Sequence, residues 1–256
     1  MKRKTIIITG ANSGIGKAAA TEIARQGHRA VLACRNPEKA GAVQREIGGD
    51  SIVGQVDLSR RASIHAFTDW AHRELDGIDV LINHAADFDL SRTERKMTPD
   101  GFETVWFTNH LAPVLLVDRL MDMLVASPQG RVINVSSKGL LAHPLLTVNL
   151  KDPMSGKRPY SASKAYHQSK MAQLMHTQWL ARQLTGTMVT ANCIRVANVR
   201  LDMARFPDLP QWLKNIYTVK ALFSIAPEQM AETYVQAALG TELKNLSGKH
   251  IGHPLK

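Results

Sequence analysis

Short apolar runs alternate with longer stretches of helical periodicity along the whole chain, and this alternation constrains the fold more than any other feature. Strand-like runs fall at 4–9, 29–34, 52–56, 79–83, 131–135 and 188–194, with a short last one near 248–252. Helical patterns fill the gaps near 14–26, 37–47, 60–75, 99–126, 157–185 and 227–239. A strand followed by a helix returns parallel to itself, so the pattern predicts βαβ units. The expected fold is α/β: a doubly wound, single parallel sheet of about seven strands with helices on both faces. No repeat, low-complexity segment or linker interrupts it, so one domain over 1–256 is expected.

Charge and composition narrow the partners. Lys and Arg exceed Asp and Glu to give +10, but the cations are dispersed, without a basic arm or an aromatic-interleaved patch. Nucleic acid is therefore not expected, and a field that draws in an anionic cofactor or substrate explains the excess. No run of about 18 apolar residues exists, so no membrane span is expected. Met1-Lys2-Arg3-Lys4 has the charge of a signal n-region, yet the apolar run after it is short and glycines follow at once. Cys34 and Cys193 sit far apart in apolar runs. They read as reduced, buried thiols of a cytoplasmic protein rather than a disulfide or a metal site, and no metal is expected.

The first βα turn reads Thr9-Gly10-Ala11-Asn12-Ser13-Gly14-Ile15-Gly16. Glycines there let the backbone turn tightly and approach a pyrophosphate, whose charge sits at the positive end of the next helix. The turn resembles the Thr-Gly-x-x-x-Gly-Ile-Gly turn of the short-chain dehydrogenase/reductase family, which implies a Rossmann fold. Where an NAD-binding sheet carries an acid after its second strand, this chain has Ala33-Cys34-Arg35-Asn36. Arg35, with Asn36 beside it, suits a ribose 2′-phosphate, so NADP(H) is favoured over NAD(H). Asp57-Leu58 either reaches the adenine edge or opens the next helix. Asn83-His84-Ala85-Ala86 places small residues near the cofactor ribose, although the family usually shows Asn-Asn-Ala-Gly. His84 is expected to be a packed or solvent-facing histidine rather than an acid–base group.

Three further segments carry the chemistry. Asn109 lies inside a helical pattern where Asn is a poor former; its match to the family implies a perturbed helix and a water held for a proton relay. The fifth strand ends in Ser136-Ser137, and Ser137 matches the serine that hydrogen-bonds the substrate oxygen. Downstream, Tyr-x-x-x-Lys occurs twice, as Tyr160/Lys164 and Tyr166/Lys170. Either pair could set an ammonium beside a phenol on one helix face. Tyr160-Ser161-Ala162-Ser163-Lys164 has the more common family look. Ala165-Tyr166-His167-Gln168-Ser169-Lys170-Met171-Ala172 resembles the retinol-dehydrogenase-like branch, and from Tyr166 the next strand follows without a gap. That branch also resembles the chain at Ala33–Pro37, Thr108–Leu111 and Leu246–Lys249, so Tyr166 and Lys170 are taken as the catalytic pair.

The resemblance implies hydride transfer between NADPH and a small, partly apolar carbonyl or alcohol. Tyr166 is general acid, Ser137 holds the oxygen, Lys170 depresses the Tyr166 pKa and binds ribose, and Asn109 completes the relay. Departures at Val196, Ala197 and Leu201, where the family has Pro-Gly and a threonine, leave the nicotinamide amide to the backbone of Val199. They also keep open a non-catalytic NADP-binding sensor or interaction protein; a methyltransferase leaves the Tyr-Lys helix without purpose. Both a homodimer and a homotetramer stay open. The segment 202–225, with Phe206, Trp212, Tyr217 and Phe223, is expected to form a mobile lid over the substrate or else a helix pair that packs its aromatics into the core.

Overall fold

The computed structural model describes residues 2–89, 91–142, 145–203 and 209–255. Seven strands form one sheet: β1 (Thr5–Thr9), β2 (Arg29–Cys34), β3 (Ser51–Gln55), β4 (Val80–Asn83), β5 (Arg131–Ser137), β6 (Thr190–Val196) and β7 (His250–Ile251). Their order is β3-β2-β1-β4-β5-β6-β7 and every pairing is parallel. The doubly wound reading holds.

Each inner strand is apolar on both sides because helices cover both faces. Ile6 and Ile8 point into one core with Ala19, Ile23, Tyr234 and Val235, from α1 (Gly14–Arg25) and α8 (Pro227–Leu239). Ile7, between them, points into the other with Phe67, Leu116 and Leu180. These come from α3 (Arg61–Glu74), α5 (Ala112–Ala126) and α6 (Ala162–Gln183). The remaining helices are α2 (Pro37–Ile47), α4 (Thr104–Trp106) and α7 (Gln211–Ala221).

Two expected helices start later than their periodicity suggests. The pattern over 99–126 becomes α4, a π-helical turn over Phe107–Leu111, and α5. The pattern over 157–185 becomes α6, because Ser161 is extended and caps it, its side chain accepting from Lys164 N. α7 had not been resolved from the expected lid. Part of that lid, including Phe206 and Pro207, lies outside the described residues.

Candidate active site

Strand order reverses at β1, which pairs with β2 on one side and β4 on the other. A doubly wound sheet leaves a ligand crevice at the carboxyl ends there. Gly10 (φ 72°) and Gly14 (φ 55°) take left-handed backbone conformations in the turn that fills it. A Cβ on Gly16 would stand 2.6 Å from the Gly10 oxygen and 2.8 Å from His84 Cδ2, so the helix can begin this close to the turn only with glycine. Ser13, the extended N-cap of α1, makes no side-chain cap, and no acid stands in the first turn. The first amides of α1 therefore keep their capacity for an anion, with Asn12 and Ile15 on the flanks of the turn.

The other expected cofactor residues take varied positions. Arg35 is exposed at the end of β2. Asn36 caps α2, its Oδ1 accepting from Lys39 N at 2.9 Å. Asp57 turns back on its own loop, accepting from Ser59 N at 3.0 Å and Ser59 Oγ at 2.7 Å. Leu58 is buried in the core. Asn83 Nδ2 donates to Asn134 Oδ1 at 2.9 Å, and Asn134 Nδ2 to Thr177 Oγ1 at 2.9 Å, a buried chain of amides beneath the site. Ala85 N donates to Thr9 Oγ1 at 3.0 Å, closing the loop onto the glycine turn. His84 is packed: its Nδ1 lies 3.0 Å from Tyr234 Oη, with the two rings edge to face. Ile225 N donates to Asn198 O and Ile225 O accepts from Arg200 N, each at 2.9 Å, so neither bond goes to Val199 itself. Val199's own amide and carbonyl therefore face away from that bridge.

Ser137, at the end of β5, lies near enough to Tyr166 on α6 for its side chain to pull the phenol pKa down. Its Oγ also accepts from Gly139 N at 3.1 Å. Lys170, one turn beyond Tyr166, is 2% exposed. Its Nζ donates to Val135 O at 2.9 Å and lies 5.8 Å from the Tyr166 ring centroid. Burial lowers the Lys170 ammonium to about 8. The expected depression of Tyr166 is absent. Burial pushes that phenol up to about 12, and the nearby Ser137 side chain offsets it only in part. The ammonium is spent on a carbonyl rather than on the phenol.

The π turn coincides with Asn109, so the expected helix perturbation is present. Its side chain is held by protein groups. Oδ1 accepts from Asp87 N at 2.6 Å, and Nδ2 donates to Asp87 O at 3.0 Å and Ser169 Oγ at 3.1 Å. Ser169 Oγ in turn donates to Tyr166 O at 2.7 Å, so Asn109 ties the loop after β4 to α6. Sequence reasoning missed this linking role of Ser169. It also missed Phe88, whose ring meets Tyr166 edge to face at 4.7 Å. Phe88 stands in a loop with no motif of its own; only its nearness to Asn83–Ala86 hinted at it.

Tyr160 is placed differently. It precedes the Ser161 cap, so it shares no helical face with the exposed Lys164. Its hydroxyl donates to Glu103 Oε1 at 3.0 Å. That buried carboxylate also caps α4, accepting from Val105 N at 3.0 Å and Trp106 N at 2.7 Å. Burial and Glu103 raise the Tyr160 pKa, opposed by Arg92. Replacing Glu103 by Ala strands these donors. It should cost about 2–4 kcal/mol, read as a lower denaturant midpoint at constant slope.

A glycine turn at the switch point of a parallel sheet, with Ser137 ending β5 and Tyr166 beside it on α6, defines a dinucleotide-binding oxidoreductase of Rossmann type. The short chain dehydrogenase family profile matches residues 4–209, and the chain belongs to that family. It is 36% identical to human retinol dehydrogenase 13 over 256 residues, covering 97% of this chain and 76% of the relative. It is also 36% identical to human retinol dehydrogenase 11 over 253 residues, covering 97% and 76%. A metagenomic short-chain oxidoreductase solved in complex with NADP superposes with a TM-score of 0.69 at 26% identity, covering 97% of this chain and 95% of that one. An uncharacterised protein from Mycobacterium paratuberculosis superposes at 0.74 with 32% identity, covering 97% and 80%.

Proposed function

We propose that the protein is an NADP(H)-dependent carbonyl reductase of small, partly apolar substrates, working in a reducing compartment. The observation that carries this reading is the setting of Ser137 beside Tyr166, with buried Lys170 one turn further along α6, at the ligand-binding end of the sheet. A bound nicotinamide dinucleotide supplies the hydride. The glycine turn would hold its pyrophosphate, Arg35 its 2′-phosphate, Lys170 its ribose and the Val199 backbone its amide. Tyr166, protonated at neutral pH, donates a proton to the substrate oxygen, while Ser137 holds that oxygen as charge develops on it. A protonated phenol stands ready to give a proton in the reductive direction, whereas oxidation would first need the phenolate.

The cofactor preference rests on Arg35 and the missing acid. Arg35→Ala should weaken NADPH by about 1–3 kcal/mol, the range for hydrogen bonds to charged groups, and leave NADH nearly unchanged. Fluorescence titration of both cofactors checks this, and equal losses would remove the 2′-phosphate assignment. Turnover with a panel of aldehydes and ketones under NADPH tests the activity itself.

A further inference from the structure

At the amino ends of the central strands, on the side of the sheet away from the glycine turn, lies a cavity of about 230 Å³. Lys2, Arg3 and Lys4, which lead into β1, line it together with Asp79 before β4, Gln129 before β5 and Lys244 beyond α8. The strands are parallel, so these approaches share one edge of the sheet. β1 is five residues long and β5 seven. At roughly 3.3 Å per residue, the cavity stands about 17–23 Å from the carboxyl ends where Gly10 and Ser137 lie. It is therefore no part of the dinucleotide crevice.

The lining sets four cations against one carboxylate. That carboxylate is already engaged by neutral donors: Asp79 Oδ2 accepts from Thr5 N at 2.8 Å and Oδ1 from Ser127 Oγ at 2.6 Å. Arg3 is paired with Asp50. Among the described residues, no carboxylate forms an ion pair with Lys2, Lys4 or Lys244. Another cation lies behind the wall. Arg131, at the start of β5, is 2% exposed. Its Nη1 donates to Ala237 O at 2.8 Å and its Nη2 to Gln129 Oε1 at 3.1 Å, while its buried Nε has no hydrogen-bond partner among the described residues. Gln129 Nε2 in turn reaches Lys244 O at 3.4 Å, so one amide joins the buried guanidinium to the cavity rim. Burial lowers the Lys4 ammonium, repulsion from Arg131 and Lys244 lowers it further, and Asp79 opposes them.

Like charges around a concave, part-buried space repel one another, and a buried guanidinium without a carboxylate destabilises the fold. A bound anion relieves both. The lysines arrive from separate approaches, Lys2 and Lys4 ahead of β1 and Lys244 beyond α8. A planar carboxylate offers its oxygens in one plane, whereas a tetrahedral oxyanion offers them to donors on several sides. The cavity is smaller than the roughly 300–1,000 Å³ of ordinary ligand pockets, which leaves room for about one or two phosphate groups and not for a nucleotide. We infer that this cavity is a second anion site, taking a small polyvalent oxyanion of the phosphate or pyrophosphate class on Lys2, Lys4 and Lys244. Arg131 adds positive field from behind Gln129 without touching the ion. The site is separate from the phosphates of the dinucleotide and does not rest on the reductase reading.

Calorimetric titration with pyrophosphate tests the site, run with NADP⁺ in excess so that the glycine turn is already filled. One saturable site should remain, and it should weaken as salt rises. Lys4→Gln with Lys244→Gln should weaken it at least ~10-fold, as expected for two lost charge-assisted contacts, and leave NADP⁺ affinity unchanged. Pyrophosphate should raise the melting temperature of the parent and not that of the double variant. Without the anion the variant should melt no lower than the parent, because it carries less like-charge repulsion, so lost binding is not lost folding. No saturable binding, binding that NADP⁺ displaces, or binding that the double variant retains overturns the proposal. A parallel titration omits NADP⁺. A protein that binds pyrophosphate through Lys4 and Lys244 but does not bind NADP⁺ upholds this site and counts only against the cofactor reading.

Discussion

Tyr166→Phe is expected to bind the dinucleotide normally and to transfer hydride about 10²–10⁴-fold more slowly, the range for loss of a general acid. The substitution removes one oxygen and leaves the ring against Phe88. Ser137 keeps the bond from Gly139 N, so the site should not collapse. Tyr160→Phe serves as the contrast. It removes a hydrogen bond to the Glu103 cap, which should lower stability by about 1–2 kcal/mol and leave the chemical step nearly intact. Single-turnover kinetics separates the two effects. With the Tyr166 phenol near 12, reduction should change little with pH around neutrality, whereas alcohol oxidation, which needs the phenolate, should climb. Abolished transfer in Tyr160→Phe with transfer kept in Tyr166→Phe would reassign the acid to the other tyrosine.

Lys170→Met should separate stability from function. Burial lowers this lysine from 10.5 to about 8, so between those values the folded protein binds fewer protons than the unfolded chain. Stability contributed by this group therefore rises with pH through that window. Below it, the buried ammonium costs the fold an amount of order 3 kcal/mol, partly returned by its bond to Val135 O. A methionine of similar length removes the charge. The variant should melt higher than the parent at neutral pH, with a flatter stability profile between pH about 8 and 10, while turnover falls at least ~10²-fold and cofactor binding weakens. Calorimetry across pH checks the first half and kinetics the second. A lower melting temperature would mean that the Val135 bond outweighs desolvation.

The strands were legible because a sheet covered on both faces writes each strand as an unbroken apolar run, as in Ile6-Ile7-Ile8 and Leu81-Ile82. The choice between the tyrosines rested on motif context and on the gapless run from Tyr166 to the next strand; the structure sets Tyr160 before the Ser161 cap and Tyr166 inside α6. Asn36 was read as a cofactor contact, yet Asn before Pro37 and Glu38 is also a helix-start pattern, and the structure uses its Oδ1 that way. A helix over part of 202–225 was one of two readings, but its aromatics were expected in the core, and Trp212 and Phe223 instead face solvent. The direction of the Tyr166 pKa was not legible at all. The four-residue spacing brings Lys170 near, but where the ammonium hydrogen-bonds and how deeply the phenol is enclosed depend on β5, distant in sequence.

Deuterium transfer tests the central claim most directly. The protein is mixed with NADPH deuterated at the nicotinamide C4 position and a panel of apolar aldehydes and ketones, and the alcohol products are weighed by mass spectrometry. The account predicts one deuterium on the former carbonyl carbon of at least one panel member, formed by the parent and Tyr160→Phe and nearly lost in Tyr166→Phe. Tight NADPH binding without deuterium in any product, or equal labelling by Tyr166→Phe, would contradict it.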